Sequence, residues 1–127
     1  MYIEITRDIR IEVVPTFVPE ESRAEQNYFV FAYQVKITNQ GQAPVQLISR
    51  HWIITDGNGV VHEVKGDGVI GQQPTLTPGK TYEYSSFCPL PTLTGSMRGS
   101  YRMKDPAQGE FDVRIPLFFL RDMSKLH

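Results

Sequence analysis

Gly66-Asp67-Gly68-Val69-Ile70-Gly71 spells G-x-G-x-x-G. That spacing cradles a dinucleotide pyrophosphate when a strand enters it and a helix leaves it. A strand enters over residues 60–64, but Pro74 and Pro78-Gly79 forbid a helix of useful length afterwards. A dinucleotide-binding fold is excluded. A smaller chemistry survives, because consecutive N–H groups in a glycine-rich turn can form a nest for an anion. Gly66, Gly68 and Gly71, with Lys65 and Arg50 as cations, are a candidate site for pyrophosphate or a (di)nucleoside polyphosphate. Asp67 and Glu63 oppose such a ligand, and the competing reading is that the glycines only permit a strained connection between two sheets.

His51, His62 and His127 raise the question of a metal, with Asp56, Glu63 and Asp67 as oxygen donors. Counted from the Asp56-Gly57-Asn58-Gly59 turn, the first two histidines are not direct cross-strand partners, and neither H-x-x-x-H nor H-E-x-x-H occurs. No metal site is expected. Cys88 stands between Phe87 and Pro89, with no histidine nearby in sequence and no helix N-terminus to lower its pKa. It reads as a small buried hydrophobe. With no G-x-S-x-G and no paired acids, no catalytic residue, enzyme activity or cofactor is expected.

The elements that must position these groups follow from composition. A chain of 127 residues is the size of one domain, 1–127, and can bury a sizeable core without disulfides or metal. Thirteen Lys and Arg against fourteen Asp and Glu leave a net charge of −1. That balance speaks against nucleic-acid and anionic-membrane partners. The single cysteine excludes an internal disulfide and a four-thiolate zinc site. Apolar residues are too dispersed for a membrane span, and no basic region followed by an apolar stretch opens the chain. A cytoplasmic location is expected.

Val and Ile total twenty-one residues against eleven for Ala and Leu, a ratio that favours strands. Period-two alternation predicts one long strand over residues 3–13, broken at most by a bulge near Arg7 and ended by Pro15 and Pro19. The polar stretch 19–26 reads as a mobile loop. Further strands are predicted over 28–39, 45–56, 60–64 and 81–87, around Tyr101, and over a last stretch holding Phe111, Val113 and Ile115. Asp56-Gly57-Asn58-Gly59 is a hairpin signal, Pro89 and Pro91 break the chain, and Pro116 marks an edge or a bulge. The tail from Leu120 to His127 has no periodicity and is expected to fray. Seven or eight strands with no convincing helix predict an antiparallel two-sheet β-sandwich, a partly closed barrel being the alternative. Trp52, the only tryptophan, is its expected core anchor.

Three separated blocks are distinctive: Gln46-Leu47-Ile48-Ser49-Arg50-His51-Trp52-Ile53-Ile54-Thr55-Asp56, Gly66-Asp67-Gly68-Val69-Ile70-Gly71-Gln72-Gln73-Pro74, and Gly95-Ser96-Met97-Arg98-Gly99-Ser100-Tyr101. In this order and spacing they resemble the ApaG family, also called CorD, over about residues 28–120. The resemblance implies an all-β, fibronectin type III or immunoglobulin-like sandwich, with the family's glycine motif intact at Gly66, Gly68 and Gly71. Phe87 departs from it, since a small residue is expected there. The resemblance also implies a link to cobalt resistance and magnesium efflux, and genes near enzymes that act on dinucleoside tetraphosphates. It further implies kinship with a module thought to mediate protein contacts in eukaryotic F-box proteins and a polymerase-delta-interacting protein. The expected function is a non-enzymatic module for protein–protein interaction, its partner an unidentified protein or a second copy pairing at the sheet edges. The alternative is an anion-binding domain holding pyrophosphate or a nucleotide at the 66–71 loop.

Overall fold

The computed structural model describes residues 1–122 and builds nine strands from them, where seven or eight are predicted. They are β1 (Tyr2–Thr6), β2 (Ile9–Phe17), β3 (Phe29–Asn39), β4 (Val45–Asp56), β5 (Val61–Asp67), β6 (Thr75–Leu76), β7 (Thr81–Leu90), β8 (Gly95–Asp105) and β9 (Gly109–Leu120). Two antiparallel sheets face each other, in the orders β1-β2-β3-β7 and β5-β4-β8-β9, with the two-residue β6 also on β4. This is the sandwich expected from the sequence rather than a barrel.

The single N-terminal strand is corrected to a hairpin. Arg7 and Asp8 both adopt positive φ, 48° and 67°, the conformation of a two-residue hairpin turn, and Thr6 pairs with Ile9. The reversal also changes which residues face the core. Ile9, Ile11 and Val13 are buried, whereas Ile3 and Ile5 are exposed and Tyr2 packs on Phe118.

The predicted breaks at Pro15 and Pro89 are also corrected, because both prolines lie inside strands. Neither needs its missing N–H. β1 pairs with β2 only as far as Val13, and β7 is an edge strand. Pro116 sits in β9, also an edge, beside the register shift between β8 and β9. The stretch read as a mobile loop holds two short 3-10 turns, Pro19–Glu21 and Ala24–Gln26. Ser22 pins it, its Oγ donating to the Val18 carbonyl at 2.8 Å and accepting from the Val30 N–H at 2.9 Å. Leu120, placed in the fraying tail by its sequence, is fully buried at the end of β9.

Alternation delivers one apolar face per sheet. Phe31, Val35 and Ile37 of β3 meet Leu47 of β4, Tyr101 of β8 and Phe118 of β9 in one core. Trp52, 3% exposed, stands at its centre. Its ring lies edge-on to Phe118 at 5.9 Å, Tyr101 at 6.3 Å and Tyr33 at 5.4 Å. Burial of an aromatic of this size stabilises by about 2–3 kcal/mol from area alone. Trp52 is thus buried where three aromatic rings of the core converge. The Tyr84 hydroxyl of the first sheet is hydrogen-bonded to the Tyr101 hydroxyl of the second, a polar tie across this interior.

The two sides of the sandwich differ. On one, β1 approaches β9: Glu4 pairs with Arg114 at 3.5 Å, and the Arg114 N–H donates to the Thr6 hydroxyl at 3.2 Å. On the other, the edge strands β5 and β7 stand apart.

Candidate functional site

A cleft of about 630 Å³ opens between the edges β5 and β7. One wall comes from the second sheet, where Trp52, Ile54 and Val64 alternate with outward-facing neighbours. The other comes from the first sheet, from Tyr33, Tyr84 and Cys88. Phe87 and Ile70, 63% and 59% exposed, flank the opening. By strand alternation the Phe87 side chain points to the outer face of the first sheet, opposite to Cys88, so position 87 borders the cleft only as part of the β7 edge.

Arg50 is the one residue of the candidate anion set whose charged head lies in this cleft. It stands opposite Gly66 in the β4–β5 register, and its guanidinium lies over that glycine: a β-carbon there would come 2.8 Å from Nη1. Nη1 donates to the carbonyl oxygens of Asp67 and Gly68, each at 2.9 Å. Among the described residues no carboxylate lies within 4.0 Å of Arg50, and no acceptor takes Nε or Nη2.

The remaining candidates are not all brought together. β5 extends to Asp67, so Lys65 and Gly66 are successive strand residues and face opposite sides of the sheet. Lys65 pairs with His51, one position along from Arg50, so its side chain leaves the opposite face of the sheet. Each glycine also has a local structural reason. Gly68 has φ +63°, and a β-carbon on it would meet the Gln72 carbonyl oxygen at 2.2 Å. Ile70 and Gly71, at φ 48° and 71°, form a tight turn closed by reciprocal hydrogen bonds between Val69 and Gln72. The Gly68 N–H donates to the Ile48 carbonyl at 2.8 Å. The amides of Gly68, Val69 and Gln72 are thus already engaged.

Alanine at Gly68 is expected to destabilise by about 3 kcal/mol, since backbone must move, against about 1 kcal/mol at Gly71, where only φ is strained. Urea midpoints measure both. Equal costs at the two positions would show that the Gln72 contact yields easily.

The histidines are separated as well. His51 lies on the outer face with its Nε2 2.9 Å from Glu63 Oε1, while His62 faces the cleft side, 3.8 Å from the buried carboxylate of Asp56. Asp56 Oδ1 accepts the N–H groups of Asn58 and Val60, shaping the hairpin turn. His127 lies outside the described residues. Among the described residues no three of His, Cys, Asp and Glu converge as a metal set would.

Cys88, read as a buried hydrophobe, is 5% exposed, and burial pushes its thiol up to about 11. It is a poor nucleophile at neutral pH. Burial also raises the pKa of Tyr33 and of Tyr84, with the Arg50 charge acting in the opposite direction on both. These groups stay protonated near neutrality. The cleft as a whole, which sequence reading missed, gathers residues from β3, β4, β5, β7 and β8.

A model of the ApaG domain matches residues 19–105. Proteins named ApaG from Methylocella silvestris and Bordetella pertussis are each 52% identical over 120 residues, covering 94% of this chain and 92% of theirs. A crystal structure described as an ApaA protein of Bordetella pertussis superposes with a TM-score of 0.88 at 53% identity, covering 91% of this chain and 94% of that one. The C-terminal domain of wzt, at 10% identity and a TM-score of 0.57 over 95% of this chain and 77% of its own, shares the fold alone.

Proposed function

We propose, from the premise that this chain belongs to the ApaG domain family, that it acts as a non-catalytic binding module for a protein partner in the cytoplasm. The observation that carries this reading is the free edge at β5. Its seven residues pair with β4 on one side only, and all except Gly66 are exposed. An extended segment from another protein, or β5 of a second copy, can complete the row of backbone donors and acceptors there. Its side chains would then reach the exposed Val64 and Ile70 beside that edge. A contribution to divalent-cation homeostasis would run through that partner rather than through direct metal ligation.

The test is affinity capture from native lysate on the wild-type protein and on a Val64→Lys variant, whose changed residue is already exposed. A specific partner is expected to bind the variant about tenfold more weakly, roughly 1.4 kcal/mol, when remeasured with purified components. Identical capture on both, at every salt concentration, would remove β5 as the docking edge.

A second reading has one observation in its favour, the unpaired charge of Arg50 beside the glycine loop. It makes the 66–71 loop a site for pyrophosphate or a dinucleoside polyphosphate. Amide NMR during titration with pyrophosphate decides it: shifts at Gly66, Gly68 and Gly71 support the site, and unmoved resonances end it.

A further inference from the structure

The cleft between β5 and β7 has a chemistry that neither reading above uses. Its volume, about 630 Å³, falls within the range of sites for small organic ligands, roughly 300–1,000 Å³. Its walls are mainly aromatic and aliphatic, and it opens to solvent beside Phe87 and Ile70. None of the described residues lining it is Asp or Glu. Among the described residues lining it, Arg50 is the one permanently charged group, and the Tyr33 and Tyr84 hydroxyls and the Cys88 thiol, whose pKa values burial raises, are neutral.

Arg50 is fixed rather than free. Both Nη1 hydrogens go to the Asp67 and Gly68 carbonyls, and the guanidinium plane lies over Gly66. Nε and Nη2 remain, the edge of a guanidinium that grips a carboxylate with two parallel hydrogen bonds. A half-buried cation already oriented by backbone carbonyls has lost little-used freedom before the ligand arrives, which favours affinity.

We infer that this cleft binds a small amphipathic monocarboxylate, its acid group on Arg50 and its aromatic or branched apolar body against Trp52, Ile54 and Val64. Pyrophosphate suits the cleft poorly. It would bring several negative charges to a single arginine among apolar walls, and Lys65 faces the other side of the sheet. The inference needs the cleft interior and not the outer hydrogen-bonding row of β5, although it shares Val64 with the proposed docking edge.

Trp52 is the only tryptophan and lines the cleft, so its emission reports occupancy. The probes are 3-phenylpropionate, its uncharged amide and inorganic pyrophosphate. The acid is expected to change Trp52 emission saturably and to bind about tenfold more tightly than the amide, the worth of a charge-assisted pair at a half-exposed site. Arg50→Gln is expected to abolish that preference and Arg50→Lys to retain part of it. Val64→Ser, at an exposed position on the cleft face, should weaken acid and amide alike. No saturable response up to about 10 mM acid, at which point affinity is negligible, would overturn the inference. So would equal binding of acid and amide, an acid preference intact in Arg50→Gln, or pyrophosphate binding more tightly than the acid.

Discussion

Alanine at Gly99 is expected to cost about 3–5 kcal/mol, a large share of the 5–15 kcal/mol that holds a typical domain folded. Intrinsic preference argues the other way, because glycine inside a strand is usually the weaker choice by about 0.5–1 kcal/mol. The geometry decides the sign. Gly99 of β8 pairs with Trp52 of β4, and a β-carbon on it would come 2.0 Å from the His51 carbonyl oxygen and 3.1 Å from its carbon. Both are backbone atoms, so no rotamer change relieves the overlap.

β4 cannot retreat easily. It is held by β8 on one side and by β5 and β6 on the other, and it carries the buried Trp52. The register shift next to Gly99, where β9 passes Pro116, leaves β8 no simple route to move either. Urea unfolding followed by Trp52 emission and far-ultraviolet dichroism measures the loss. Gly79→Ala is the control, since a β-carbon there meets nothing within 4 Å and only its φ of +84° is strained. That change is expected to cost about 1 kcal/mol. A Gly99→Ala midpoint equal to wild type would mean that β4 and β8 can separate freely.

The second large effect is expected at alkaline pH. Burial raises the pKa of Tyr33, Tyr84 and Tyr101 above that of free tyrosine, and for Tyr101 the nearby Tyr84 adds to the shift. The folded state therefore keeps protons that the unfolded chain gives up near pH 10. The stability these groups contribute is complete below about pH 10 and is lost as pH rises toward their folded-state values. Between its unfolded and folded values each group steepens the decline by at most about 1.4 kcal/mol per pH unit. Tyr84 and Tyr101, the two with the large shifts, together set a limiting slope of about 3 kcal/mol per unit, to which Tyr33 adds over a narrower range. Cys88 begins the decline earlier, between its ordinary 9.0 and about 11.

Urea midpoints across this range, with tyrosinate absorbance as the second signal, measure the slope. A flat profile above about pH 10 would show that the three hydroxyls ionise in the fold as they do in water. Phenylalanine substitutions apportion the effect. Tyr84→Phe strands the Tyr101 hydroxyl in the core at a cost of about 1–3 kcal/mol, while Tyr84→Phe with Tyr101→Phe removes both partners and costs less than the two single changes added.

Much of this architecture is legible residue by residue. Alternation marks β3 and β4 almost to their observed ends, and Asp56-Gly57-Asn58-Gly59 announces its turn. The Arg7–Asp8 hairpin is hidden for a definite reason. A two-residue turn preserves odd-position spacing, so Ile5 and Ile9 look like one strand face when they belong to two strands. Neither Arg7 nor Asp8 is the glycine that usually signals positive φ.

The candidate site is partly legible for a similar reason. Placing the end of β5 at 64 makes Lys65 look like part of a loop able to turn toward Arg50. Carrying the strand to Asp67 fixes the two on opposite faces. The cleft is not local in sequence at all, since Trp52, Val64 and Cys88 line one space only when two sheets are laid together.

The prolines have a consequence for how copies of this chain can associate. β7 carries Pro89 and β9 carries Pro116, and each withholds one donor from an outer edge. β1 has five residues and is held close to β9. β5 alone combines seven residues, no proline and an unpaired side. Strand addition between identical copies would therefore use β5 against β5, which consumes the competent edge of both. Such an assembly closes at two subunits about a twofold axis and has no repeating edge from which a filament could grow.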